Sequence, residues 1–176
     1  MVGEIRDSET AQIAIRAAIT GHIVLSTLHT NDTASSLARL VDMGLEPYLV
    51  STATVGIIAQ RLVKKVCPKC GQDYNPNEAE RRLLGLGSFE NPKMRKGPGC
   101  NACNQSGYVG RTAVHEVLLV DKEIRTKMLQ GGTSEEIKDL AKARGMKTLQ
   151  DSCRDLVLNG ITTIEEMMRV AYSYDE

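Results

Sequence analysis

An α/β fold is predicted by three features of this 176-residue sequence. Residues 1–33 read as a strand end, an acidic turn, a helix, a second strand and a polar turn. Two C-x-x-C hooks, Cys67-Pro68-Lys69-Cys70 and Cys100-Asn101-Ala102-Cys103, flank a 29-residue loop. From Asp121 onward, capping residues and glycines punctuate a run of short helices. The expected organisation is an α/β part over 1–66, a tetracysteine subdomain over 67–110, and returning strands with a small helical subdomain over 111–176.

The first stretch carries the densest chemistry. Val2 and Gly3 end an apolar run, and Glu4, Arg6 and Asp7 follow directly. Asp7 or Ser8 caps a helix through Ile19, because a short side-chain oxygen accepts the free N–H groups of the first turn. Gly21 stops that helix. Ile23 to Leu28 is mainly apolar and rich in β-branched residues, as in a strand buried on both faces. Ser26, Thr27, His29, Thr30, Asn31 and Asp32 cluster at its far end. Ligands in open α/β sheets lie beyond the carboxyl ends of the strands. Glu4 and His29 therefore belong at the reactive edge.

The chain then alternates helices and strands. Asp32 caps a helix over Thr33 to Met43, where Leu37, Leu40 and Val41 share one face, and Gly44 ends it. Pro47 opens a mostly apolar helix running to about Gln60. Arg61 to Val66 alternates apolar and basic residues and reads as a strand that delivers the chain to Cys67. Between the hooks, Glu78 to Leu84 forms a short helix, and Gly85 to Gly99, rich in Gly, Pro and Asn, reads as a mobile loop. Tyr108 to Val120 has the pattern of returning strands. Asp121 caps a helix to Leu129, and Gly131-Gly132 breaks it. Thr133 and Glu136 form a capping box for the next helix. Further helices run from about Thr148 through Leu158 and, capped by Thr162 or Thr163, from Ile164 to Tyr172.

The hooks have metal-ligand spacing. Each turn presents two sulfurs, and together Cys67, Cys70, Cys100 and Cys103 complete a tetrahedron suited to structural Zn²⁺. Gly71 and Gly99 ease the tight turns beside the hooks. Cys153, the odd cysteine, lies among Leu149, Leu156 and Val157 and reads as a small buried hydrophobe.

Lys plus Arg equals Asp plus Glu, 22 each, so the formal charge is zero. A nucleic-acid surface usually shows a basic excess, and one Phe with no Trp supplies few stacking platforms. No nucleic-acid partner is expected. No run has the length of a transmembrane helix and no signal peptide precedes the first motif. A cytoplasmic protein with reduced thiols is expected.

The strings VGEIRD (Val2 to Asp7), ETA (Glu9 to Ala11) and TGHIVLSTLHTND (Thr20 to Asp32) resemble the Walker B region and histidine box of the type II secretion and type IV pilus assembly ATPases. IAQRLVKKVCPKC, GYVGR and HEVL extend the match, and the same family carries the tetracysteine element. The resemblance implies the second half of a RecA-like P-loop ATPase domain working in a homo-hexamer. Its motion would pass to an inner-membrane platform protein, placing it in the cytoplasm, peripheral at the inner membrane. Glu4 would act at the Mg²⁺ and attacking-water side of ATP and His29 at the γ-phosphate. His22, Thr27 and Arg6 would contribute to nucleotide binding. Phosphoryl transfer needs such a metal clamp, an oriented water and donors for developing charge.

One departure is large. No G-x-x-x-x-G-K-[ST] loop occurs in the sequence, so the backbone cradle and lysine for the phosphates are missing. The family's aspartate box is missing too, and with it a rival candidate for the catalytic glutamate. The sequence therefore reads as the C-terminal part of a longer ATPase, inactive alone. The alternative is a non-catalytic zinc-binding module for protein interaction, derived from such an ATPase. Motors for DNA uptake or adhesion pili share the same chemistry and are not separated from these by sequence.

Overall fold

The computed structural model describes residues 1–87, 90 and 92–172. In chain order its elements are α1 (Ser8–Ile19), α2 (Thr33–Asp42), α3 (Pro47–Ala53), β1 (Gly56–Val66), β2 (Gln72–Tyr74), α4 (Glu78–Leu83), β3 (Met94–Lys96), β4 (Tyr108–Leu119), α5 (Lys122–Leu129), α6 (Ser134–Ala143), α7 (Leu149–Leu158) and α8 (Ile164–Tyr172). Helices and strands mix along the chain, as an α/β class requires.

Helix starts follow the capping residues. The Asp7 carboxylate accepts from the Thr10 N–H, and Asp32 accepts from Ser35. Asn77, Thr133 and Thr148 each form a reciprocal capping box with the residue three positions on. Each pair satisfies two N–H groups that the helix itself leaves open. α1 ends in a Schellman turn: Gly21 sits at φ +94°, its N–H reaches Ala18 O, and the His22 N–H reaches Ala17 O. Only a residue without Cβ takes that φ without strain.

Packing divides the chain into two compact units, residues 1–59 with 116–147 and residues 60–115 with 148–176. In the first unit, α1, α2, α3, α5 and α6 surround a core that includes Ile15, Leu37, Val50, Leu118, Ile124 and Ile137. Each such side chain contributes about 1.5–3 kcal/mol when fully buried. A buried carboxylate, Glu116, accepts from the Thr33 N–H at 3.0 Å and the Thr33 hydroxyl at 2.5 Å, and so fixes the start of α2.

In the second unit, β2 and β3 pair antiparallel with Asp73 opposite Arg95. β1 pairs with β4; within this unit Gln60 meets His115 and Lys65 meets Gly110, so the strands run in opposite directions. α7 and α8 pack on each other and are stitched to the strands. The Val66 N–H donates to Ile161 O, the Thr162 hydroxyl to Lys64 O, and the Lys64 N–H to the buried Glu166 carboxylate.

This packing cuts the chain differently from the three segments read in the sequence. Residues 116–147 bury their apolar side chains with residues 1–59, whereas 148–172 are hydrogen-bonded to the strands around the cysteine hooks. Three local expectations also change. The helix opened by Pro47 ends at Ala53 rather than near Gln60; Gly56 to Gln60 belong to β1, where exposure alternates from residue to residue. Within Gly85 to Gly99, expected to be a mobile loop, Met94–Lys96 forms a strand because β2 offers it a ladder; positions 88, 89 and 91 lie outside the described residues. The third change concerns Ile23 to Leu28. It is not a regular strand: only Val2 N–H to Leu25 O and Ile5 N–H to Thr27 O bond it to the first residues, too few and too irregularly spaced for a ladder. It is not buried on both faces: Ile23 is 90% and Leu25 64% exposed, and only Val24 and Leu28 pack against the core. No helix among the described residues is long and apolar enough to cross a membrane.

Candidate functional site

Two groups of chemistry-bearing side chains stand out, one in each unit. The first forms where residues 2–5 lie along 25–27. That pairing sets Glu4 beside His29. The Glu4 carboxylate has Arg6 Nε 2.6 Å from Oε2 and His29 Nε2 2.8 Å from Oε1. The Glu4 side chain is only 19% exposed, whereas Arg6 and His29 are open to solvent. Oε1 is solvent-shielded and receives no aligned hydrogen bond among the described residues. The His29 approach is therefore one of distance rather than of directed donation.

These three residues line a cavity of about 270 Å³ together with Arg39 from α2, with Ile5 and Leu28 as apolar wall. Arg39 was not singled out in the sequence. Its place follows from α2, whose start is held by Asp32 and Glu116. The signal available beforehand was an arginine seven residues past the Asp32 cap, two turns into a helix that begins at the reactive edge. With Arg6 and Arg39 against Glu4, the fixed charges of the cavity favour an anion.

The other expected nucleotide contacts are placed elsewhere. The Thr27 hydroxyl donates to Gly3 O at 2.8 Å, which ties the two extended segments together. His22 Nδ1 lies 3.2 Å from the Thr20 hydroxyl at the end of α1. Neither lines the cavity with Glu4.

The second group is the tetracysteine cluster. The sulfurs of Cys67, Cys70, Cys100 and Cys103 all lie within 4.8 Å of one another. Three of the separations are 4.0 Å (Cys67 to Cys100), 3.8 Å (Cys70 to Cys103) and 3.7 Å (Cys100 to Cys103). A zinc ion about 2.3 Å from each of four tetrahedral sulfurs requires sulfur edges of about 3.8 Å. The donor set and spacing fit a metal ion. Glycines make the cradle possible. A Cβ on Gly107, at φ +77°, would lie 2.3 Å from Gly97 O, and one on Gly99 would lie 2.7 Å from Gln105 O.

Local donors split the thiols. Backbone hydrogen bonding from Cys70 lowers the Cys67 thiol below its ordinary value. Burial pushes Cys70 up to about 12. Burial opposes ionisation of Cys103 too, yet the backbone N–H groups of Cys100 and Gly107 bring it down to about 6. Donors already aimed at sulfur favour the thiolate, the form that binds metal. Cys153 stands apart, fully buried in α7, where burial and the nearby Glu166 charge raise its thiol to about 11.

Fold and sites thus define an α/β protein with a carboxylate–histidine–guanidinium cavity and a separate tetrathiol centre. Comparison with known proteins places it. The profile of a family described as Type II/IV secretion system protein matches residues 1–169, and the chain belongs to that family. It is 49% identical over 170 residues to the type IV pilus assembly ATPase PilB of Thermus thermophilus, covering 96% of this chain and 19% of that protein. It is 45% identical to type II secretion system protein E of Pseudomonas aeruginosa, covering 97% of this chain and 34% of that protein. The chain therefore spans about a fifth to a third of the length of these relatives. Among solved structures, the ATPase DotB of Yersinia pseudotuberculosis superposes with a TM-score of 0.64 at 21% identity, over 96% of this chain and 35% of that one. DotB of Legionella pneumophila gives 0.61 at 23% identity, over 97% and 37%. That likeness is one of fold.

Proposed function

We propose that this chain is part of a motor ATPase that couples ATP hydrolysis to type IV pilus assembly or type II protein secretion. The observation that carries the proposal is Glu4. Its carboxylate is fixed between Arg6 and His29, with one shielded oxygen that no aligned donor occupies. The carboxylate lines the cavity with Arg6, His29 and Arg39, where it can accept from a metal-bound or attacking water once the exposed His29 ring swings off Oε1. Mg²⁺, when bound with ATP, would neutralise charge on the phosphates. Glu4 then orients the water, and His29, Arg6 and Arg39 face the charge that develops on the transferred phosphoryl group. In this reading the fold is the second half of a RecA-like domain, and the tetracysteine centre holds one structural Zn²⁺. The intact protein works as a homo-hexamer in the cytoplasm, at the inner membrane, against a platform protein. The names of the 40–49% identical relatives support the motor class.

The missing G-x-x-x-x-G-K-[ST] loop favours one other reading for the chain by itself, a non-catalytic zinc module for protein interaction. Mg-ATP hydrolysis separates the two. The intact protein is expected to hydrolyse Mg-ATP and the 176-residue chain alone is not, because it has no phosphate cradle. An intact protein that neither binds nor hydrolyses Mg-ATP would leave the interaction module standing.

A further inference from the structure

Arg95 sits in the middle of β3, opposite Asp73. Its Nη2 donates to Gly71 O at 3.2 Å, the carbonyl directly after the ligand-forming Cys70. Its Nε is shielded from solvent and hydrogen-bonds nothing among the described residues. Asp73 Oδ1 stands 3.6 Å from that Nε, within ionic reach only. A Cβ on Gly71 would come within 3.0 Å of the same nitrogen and 2.7 Å of Cys67 O. On the other side, Gly160 at the end of α7 lies against the arginine stem, where an added Cβ would be 3.2 Å from Arg95 Cβ. β3 itself packs on α7. One side chain thus lies against both Gly71, beside the first cysteine hook, and Gly160, at the end of α7.

A divalent ion held by four thiolates carries net negative charge, and a poorly solvated site tolerates it only against N–H donors or cations. Cys103 has two such donors, the backbone N–H groups of Cys100 at 3.1 Å and Gly107 at 3.3 Å. The Cys67–Cys70 hook has the Arg95 guanidinium on the carbonyl of Gly71, the residue that follows Cys70. We infer that Arg95 is a positioning residue of the metal centre. It holds the Gly71 carbonyl so that the first hook keeps its ligand geometry, sets a positive charge against the thiolates, and joins the centre to α7 and α8. The inference rests on reading the four cysteines as a zinc site.

The test uses the intact protein. Zinc affinity is measured by competition with a chromogenic chelator for wild type, Arg95→Met and Arg95→Lys. Cobalt substitution reports the thiolate ligand field of each. Arg95→Met is expected to bind zinc about 10–100-fold more weakly, the range for lost outer-shell partners. Arg95→Lys keeps the charge and loses the fork, so its affinity falls between the two. Amide exchange of the wild-type protein, with and without zinc, gives a measurement that needs no variant. Metal removal is expected to raise exchange in α7 and α8 and leave α1 protected. Equal zinc affinity in wild type and Arg95→Met would overturn the inference. Equal weakening in the Met and Lys variants, which both keep an aliphatic stem, would overturn the role given to the charge, since loss of the guanidinium bond to Gly71 O would then explain the whole effect. Protection of α7 and α8 that ignores the metal would overturn the inference as well. A wild-type protein that holds no zinc would instead sink the metal reading beneath it.

Discussion

His29 Nε2 lies 2.8 Å from Glu4 Oε1, across the two extended segments that open the chain. The contact joins a shielded carboxylate to an exposed imidazole, and a Thr27 hydroxyl bond to Gly3 O braces the pair from below. The imidazole is thus the outer group of the pair and the carboxylate the inner one.

That order leads to different kinetic effects for the cavity residues. On the proposed ATPase reading, His29→Ala and Arg39→Gln, made in the intact protein, remove groups that would face developing phosphoryl charge. Each is expected to lower kcat by about 10²-fold, the scale of one lost charge-stabilising donor, with KM for Mg-ATP changing far less. His22→Ala, whose ring rests against Thr20 outside the cavity, is expected to stay close to wild type. Steady-state hydrolysis across Mg-ATP concentration checks all three. A KM effect with unchanged kcat would move His29 and Arg39 to ground-state binding.

Asp32 supplies a pH dependence. Burial disfavours its charge, but the Lys138 ammonium at 2.8 Å and the Ser35 donors hold its carboxyl below the ordinary 3.8. A carboxyl depressed on folding stabilises the protein above its unfolded value and loses that contribution as pH falls through the folded one. Asp32→Asn keeps the cap oxygen and removes the charge. It is expected to cost about 1 kcal/mol at pH 7, with the gap closing below pH 3.8. Urea midpoints of both chains at neutral and acidic pH measure it. A gap that does not narrow in acid would place the effect outside the ion pair.

Gly107→Ala probes the cradle of the hooks. The left-handed φ and the 2.3 Å approach to Gly97 O leave no room for a methyl group. Substitution is expected to destabilise the chain by more than about 2 kcal/mol and to lower bound zinc. Denaturant unfolding and elemental analysis of the same sample check both. Gly85→Ala, at a left-handed glycine with open space around it, is expected to leave zinc content intact.

Much of this architecture was legible in the sequence because helix ends are written locally. Asp7, Asp32, Asp121 and Thr133 cap where their side chains predict, and the glycines after them stop or turn the chain. The four cysteines were legible by spacing alone. Other features depend on distant partners. β3 is three residues long and exists because Gln72–Tyr74 offers a ladder. The run from Val55 to Ala59 is apolar enough for helix or strand, and pairing decides for strand. Arg39 carries no motif; only the direction of α2 brings it to the cavity of Glu4. Ile23 and Leu25 have the composition of a doubly buried strand, yet burial depends on what packs over them.

The most direct measurement is Mg-ATP hydrolysis by the intact protein carrying Glu4→Gln. The amide keeps the shape and loses the charge that would orient the water and face the metal. Turnover is expected to fall by about 10²–10⁴-fold while far-UV circular dichroism and zinc content stay unchanged. Turnover within a factor of two of wild type would contradict the role given to Glu4 and, with it, the catalytic reading of this cavity.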